Sequence, residues 1–298
     1  MKSCTSKNTP YTAIITAMFG AFIALTVSAQ QSAEVLSPRA DVLSIGGSVT
    51  EIVAALGQQH RLKARDTTSS YPPDVTYLPD VGYMRSLSPE GVLSVGPSLI
   101  LSEEGAGPPE ALEVIRAADV DFVEVPDALT PEGILRKIEI IGDALGVPDR
   151  ADTLAVEVET ALSAALTDAD RPETDKKRVL FVLSTQGGKI NASGTGTAAD
   201  ALIRMAGGVN AITDYDGYKQ ITDEAVGLAA PDVILMMDRG GENGVADDEL
   251  FDMPAIRLTP AAQTRSVVRM DGLLMLGFGP RTAEAVRMLN KALYKQGI

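Results

Sequence analysis

One short pattern occurs twice in this chain. Ser88-Pro89-Glu90, followed by Val92, Pro97, Ile100 and Leu101, is matched by Thr222-Asp223-Glu224, followed by Val226, Pro231, Ile234 and Leu235, with seven residues from Glu to Pro in both. In each copy a hydroxyl residue stands where a helix N-cap is wanted and an acid follows in the first turn. A proline then precedes an apolar run of strand length. A candidate strand lies upstream of each copy: Val42 is 48 residues before Glu90, and Val179 is 45 before Glu224. Two lobes built on one βα plan account for this. Helix–proline–strand joints that recur independently in parallel sheets are the alternative.

The first lobe reads as a run of alternating elements. Asp41–Gly47 is a buried strand entering a glycine turn, and Ser48 with Glu51 has the spacing of a capping box for the helix that Gly57 ends. Leu62–Ala64 is a second strand, Pro97–Leu101 a third and Phe122–Val125 a fourth, with helices expected over Ser88–Leu93, Pro109–Ala118 and Pro131–Leu145. Pro148–Leu166 is a long helix with no strand neighbours, and 168–177 is polar and charged. The pattern restarts with a strand at Val179–Leu183, a helix at Thr197–Met205, and the second copy of the repeat. The expected fold is therefore α/β, two Rossmann-like lobes with parallel sheets joined by one long inter-lobe helix. The boundaries are 1–29 for a signal peptide, 30–147 for the N-terminal α/β lobe, 148–170 for the linker helix and 171–298 for the C-terminal α/β lobe. In such a pair of lobes, loops leaving the carboxyl ends of strands line a cleft.

The N-terminus has the form of an export signal. Lys2 and Lys7 precede an apolar stretch over Ala13–Val27, and Val27-Ser28-Ala29 is a small-residue cleavage site, so cleavage is expected after Ala29. Cys4, the only cysteine, lies before the apolar core, so the exported chain has no disulfide, no thiolate metal site and no cysteine nucleophile. One histidine, His60, excludes a metal site built on several imidazoles and leaves few nucleophile–base pairs, so the chain is not expected to be an enzyme. The net charge of −14 becomes −16 without Lys2 and Lys7, which argues against nucleic acid and anionic membrane surfaces as partners. Gly46-Gly47-Ser48 and Gly194-Thr195-Gly196 lack the spacing of a phosphate loop, and no Gly-Lys-Ser/Thr follows.

The stretch Asp80-Val81-Gly82-Tyr83-Met84-Arg85-Ser86-Leu87-Ser88-Pro89-Glu90 holds the most telling side chains. A tyrosine phenolate is a hard oxygen ligand suited to ferric iron, and an arginine two residues on can favour the phenolate or hold an anion. A hydrogen-bonded tyrosine packed on its loop, with Arg85 solvated or paired with Asp80, is the plain alternative. In the second lobe Asp214–Lys219 leads into the matching helix, and both loops are expected to face the cleft. Glu90 and Glu224 occupy equivalent helix starts, where the dipole alone favours a carboxylate.

Several stretches resemble the periplasmic haem-binding proteins, the substrate-binding components of haem ABC importers. They are Val42–Gly57, Arg65–Ser69, Leu78–Gly91 with its Gly-Tyr-Met-Arg loop, Gly194–Leu202 and Gly277–Arg281. The first strand and helix are similar to those of B12- and siderophore-binding relatives as well. The resemblance implies a periplasmic monomer that carries haem b in the inter-lobe cleft to an ABC transporter permease dimer, downstream of an outer-membrane haem receptor. It implies Tyr83 as the axial ligand of ferric haem iron, Arg85 and Arg239 as basic residues near the haem, and Glu90 and Glu224 as permease-docking residues. Pairing of Arg239 with Asp238 or Glu242 is its alternative. Arg65 is a further candidate for propionate contact, and Tyr215, Tyr218, Met275 and Phe278 for walls of the haem plane. The alternative cargo is a ferric siderophore or a corrinoid.

Overall fold

Residues Val42–Ile45 form β1, a strand buried along its whole length, and Gly47–Ala55 form α1 directly after it. The structure, a computed structural model, describes Met1, residues 40–238 and residues 245–294. The expected leader, Met1 apart, and Arg239 lie outside the described residues. The chain continues through β2 (Leu62–Arg65), α2 (Pro89–Ser94), β3 (Leu99–Glu103), α3 (Pro109–Arg116), β4 (Asp121–Val125) and α4 (Pro131–Leu145). These strands make a sheet of order β2-β1-β3-β4, parallel throughout. The 22-residue α5 (Pro148–Ala169) follows, about 33 Å long at 1.5 Å per residue.

The second half contains β5 (Arg178–Ser184), β6 (Ile190–Ser193), α6 (Ala198–Met205), β7 (Val209–Asn210), β8 (Tyr218–Ile221), α7 (Asp223–Ala229) and β9 (Val233–Asp238). After it come α8 (Asp247–Asp252), α9 (Pro260–Thr264), β10 (Val267–Asp271), α10 (Gly272–Leu276) and α11 (Thr282–Tyr294). Its sheet has the order β10-β9-β5-β6-β8, with β7 on β5. The expectation of a parallel sheet holds for β10, β9, β5 and β7 and needs correcting for the rest. Gly187 and Gly188, both at positive φ, turn the chain back after β5, so β6 and then β8 add antiparallel.

The repeat seen in the sequence is present as structure. Ser88 Oγ accepts the Gly91 N–H at the start of α2, and Thr222 Oγ1 accepts the Ala225 N–H at the start of α7. Each helix leads into the strand beside the first strand of its sheet: β3 on β1, and β9 on β5. The capping box at Ser48 and Glu51 does not form. Gly46 takes the N-cap place without a side-chain bond, because Ser48 and Glu51 are both buried and bonded to charged partners elsewhere.

Period-two alternation divides the apolar residues of the strands between two faces. Val42, Leu99 and Leu101 in the first sheet, and Val179, Phe181, Val233 and Leu235 in the second, all join one continuous apolar cluster. α4, α5, α6 and α11 supply its helical part through residues such as Ile138, Leu162, Leu202 and Val286. The opposite faces fill two separate clusters, around Leu43, Ile45 and Ile100 in one half and Leu180, Val182 and Ile234 in the other. α5 buries Ala151, Val158, Leu162, Ala165 and Ala169 along one stripe and packs against α4 and α11. The two sheets thus share a middle layer.

A shared layer predicts one cooperative unfolding transition. Leu162→Ala, at a site only 1% exposed, should lower stability by about 2–5 kcal/mol and move the whole denaturant transition without splitting it. Two separate transitions in fluorescence and circular dichroism would contradict this packing.

Candidate functional site

The loop that presents Tyr83 is built on a carboxylate. Asp80 Oδ2 accepts from Arg65 Nη1 at 2.9 Å, and Asp80 Oδ1 accepts from Thr67 Oγ1 at 3.1 Å and the Gly82 N–H at 2.8 Å. The backbone runs alongside the end of β2: Arg65 N–H donates to the Pro79 carbonyl, Val81 N–H to that of Arg65, and Thr67 N–H to that of Gly82. Val81, Met84 and Leu87 are buried in the first lobe's outer cluster. With those three turned inward, Tyr83 and Arg85 are left exposed. Tyr83 is 47% exposed, and its hydroxyl has no hydrogen-bond partner among the described residues. Asp80 is occupied by Arg65, and Arg85 forms no ion pair among the described residues.

Both side chains line a cleft of about 690 Å³ between the sheets, within the usual range for a small-molecule site. Leu129, Leu183, Met237, Leu273 and Leu276 give it apolar walls. From the second lobe Tyr218 faces it, with its ring edge to face against Phe181. Burial raises the Tyr218 phenol above its ordinary pKa, against the opposing pull of the Arg85 charge.

At the floor of the cleft the two halves touch. A Cβ on Gly47 would overlap the Leu273 side chain of α10 and lie 2.8 Å from the Thr68 carbonyl oxygen, so this close approach requires glycine. Lys137, fully buried on α4, donates to Glu103 Oε1 and Asp127 Oδ1, both at 2.7 Å, and to Ser48 Oγ at 3.2 Å. Ser48 donates to Glu103 in turn. Burial pushes the Glu103 carboxyl up despite Lys137. Burial also works against the Lys137 charge, but Glu103 and Asp127 outweigh it and raise the ammonium above 10.5. A second tie lies nearby: Arg281 Nη2 donates to Glu51 Oε2 at 2.8 Å and its guanidinium lies 3.5 Å over the Tyr71 ring.

Not every sequence-predicted residue reaches this cleft. Arg65 is spent on Asp80 and on the carbonyls of Asp66 and Thr76, so it shapes the Tyr83 loop from behind. Tyr215 donates to the Ala192 carbonyl at 3.0 Å and lines a different hollow, beside Lys219 and Thr222. Phe278 and Met275 are 1% exposed and belong to the shared apolar layer. Arg239 is not among the described residues. Glu90 and Glu224 are exposed in the first turns of α2 and α7, away from the cleft lining. Sequence reasoning missed the Lys137 cluster altogether, since nothing in a helix pattern marks one lysine as buried.

Comparison with known proteins places this geometry in context. The family described as periplasmic binding protein matches residues 42–273. The solved structure of the periplasmic haem-binding protein BhuT, in complex with two haems, is similar with a TM-score of 0.80 and 39% identity, covering 85% of this chain and 97% of that one. An uncharacterised ABC transporter substrate-binding lipoprotein of Bacillus subtilis, YvrC, is 28% identical over 85% of this chain and 79% of its own length. A vitamin B12-binding protein of Photorhabdus laumondii is 26% identical over 72% of this chain and 76% of its own length.

The floor cluster generates a pH-dependent prediction. Lys137→Met leaves Glu103 buried without its cation and should cost about 3–5 kcal/mol at neutral pH. Burial already raises the Glu103 pKa against the pull of Lys137, and removing that cation raises it further, so ionisation of Glu103 costs the variant more than the wild type as pH rises. The gap between variant and wild type should therefore narrow as pH falls toward 5 in denaturant titrations. A gap that stays constant with pH would contradict the assignment.

Proposed function

The chain belongs to the periplasmic binding protein family, and from that premise we propose that it is an extracytoplasmic haem carrier for an ABC importer. The observation that carries the reading is Tyr83. A phenol whose hydroxyl has no hydrogen-bond partner among the described residues is held at the cleft by a loop pinned on both sides of it. Tyrosine is an established axial ligand of haem iron. The apolar walls suit a porphyrin, and Arg85, two residues on, supplies positive charge to favour the phenolate and to offset a propionate. Haem b is the cargo, and the carrier has no catalytic role in this reading.

Delivery follows from the repeat. Glu90 and Glu224 stand exposed at equivalent helix starts, one in each half, and offer a two-subunit permease two equivalent carboxylates. Among the described residues no helix is long and apolar enough to cross a membrane. The similarity to BhuT at 39% identity favours haem over a corrinoid, for which the relative from Photorhabdus laumondii, at 26%, is the supporting observation.

Titration of the purified protein with hemin tests the reading. The expected result is a saturable Soret band of high-spin ferric haem with oxygen ligation. It should be weakened and spectrally altered in Tyr83→Ala, while cyanocobalamin fails to compete. Displacement of hemin by cyanocobalamin, or a Tyr83→Ala spectrum identical to wild type, would reject it.

A further inference from the structure

Tyr218 differs from Tyr83 in one respect that decides what it can do. Its ring is packed against the buried interior. Phe181 meets it edge to face, with centroids 6.2 Å apart and planes at 65°. Its backbone is fixed as well, because Tyr218 pairs with Ser193 in the β6–β8 ladder. Even so, 37% of the residue remains exposed, and it lines the cleft. A flat aromatic surface is thus presented with its rotamer already fixed, so a ligand stacking on it would lose little further conformational freedom.

We propose that Tyr218 is a fixed stacking wall that recognises the plane of the macrocycle independently of its metal, so that the cleft takes iron-free porphyrin as well as haem. The inference rests on the haem reading above and extends it to a second ligand. The chemistry separates two phenols. An iron ligand must offer a phenolate oxygen with a free lone pair directed at the metal. The Tyr83 hydroxyl has no hydrogen-bond partner among the described residues and is half exposed, whereas burial raises the Tyr218 phenol and holds it in the neutral form. Metal recognition then falls to the first half of the chain and plane recognition to the second. Arg85 from the first half and Tyr218 from the second both line the cleft. The anionic edge of a stacked macrocycle belongs beside that pair.

The test titrates wild type, Tyr218→Ala, Tyr218→Phe and Tyr83→Phe with hemin, followed by Soret absorption, and with protoporphyrin IX, followed by its emission. Wild type should bind both. Tyr218→Ala should weaken both by a similar factor, about tenfold for the loss of one stacking face, with the ferric line shape unchanged. Tyr218→Phe keeps the ring and should lose less than the alanine variant for either ligand, which separates loss of the face from any folding defect of Tyr218→Ala. Tyr83→Phe should weaken hemin alone. A Tyr218→Ala protein that loses hemin but not porphyrin, or that changes the ferric spectrum, would make Tyr218 an iron ligand and overturn the proposal. So would unaltered binding of both ligands by Tyr218→Ala. If wild type binds hemin through Tyr83 but excludes protoporphyrin IX, this inference falls while the haem reading stands; if it binds neither, both fall.

Discussion

The middle layer shared by the two sheets is the constraint from which the rest follows. Val42 and Leu101 from one sheet and Phe181 and Leu235 from the other are buried in the same apolar cluster as Leu162 of α5 and Val286 of α11. Opening the halves widely would return part of that surface to water, at roughly 25 cal/mol per Å². The cleft is therefore largely preformed. Leu273 seated on Gly47, and Arg281 on Glu51, add contacts at its floor that tie one half to the other. A ligand meets walls that are already in place, and little of its binding energy goes into ordering them.

On that frame the Tyr83 loop is organised by polar bonds made behind it. Asp66 is fully buried and accepts from the Gly46 N–H, Ser69 Oγ and both donors of Thr68. Those bonds lock the turn between β1 and α1. Arg65 and Thr67 reach the other way, to Asp80, which in turn holds the Gly82 N–H. The run Arg65–Ser69 thus builds two adjacent walls, and Thr68 within it lines the cleft. A buried carboxylate with four donors is expensive to leave unsatisfied, which explains why so much hydroxyl chemistry gathers in one short stretch.

Much of this was legible in the sequence because it depends on local chemistry. The repeat at Glu90 and Glu224 is written in cap residues and proline joints, and α4 begins at Pro131 and ends at Leu145 as the pattern indicates. Tyr83 and Arg85 stand out in the sequence as a phenol and a cation two residues apart, and the structure sets both on the cleft lining. What failed depended on distant partners. Ser48 and Glu51 have the spacing of a capping box, yet the bonds to Glu103 and Arg281 come from 55 and 230 residues away and prevail. Phe278 reads as a loop aromatic between two glycines, but it is swallowed by the shared layer. Tyr215 and Tyr218 are indistinguishable in sequence. The β8 register sends the second toward the cleft, while Gly194 leaves room for the first to pack elsewhere.

The central claim is a bond between one phenol oxygen and one metal. A crystal structure of the protein grown with hemin measures it directly. This account predicts the porphyrin between the two halves, the Tyr83 oxygen at coordination distance from the iron and the Arg85 guanidinium beside that oxygen or a propionate. An iron coordinated by any other side chain, or a porphyrin lodged outside the cleft, would contradict it.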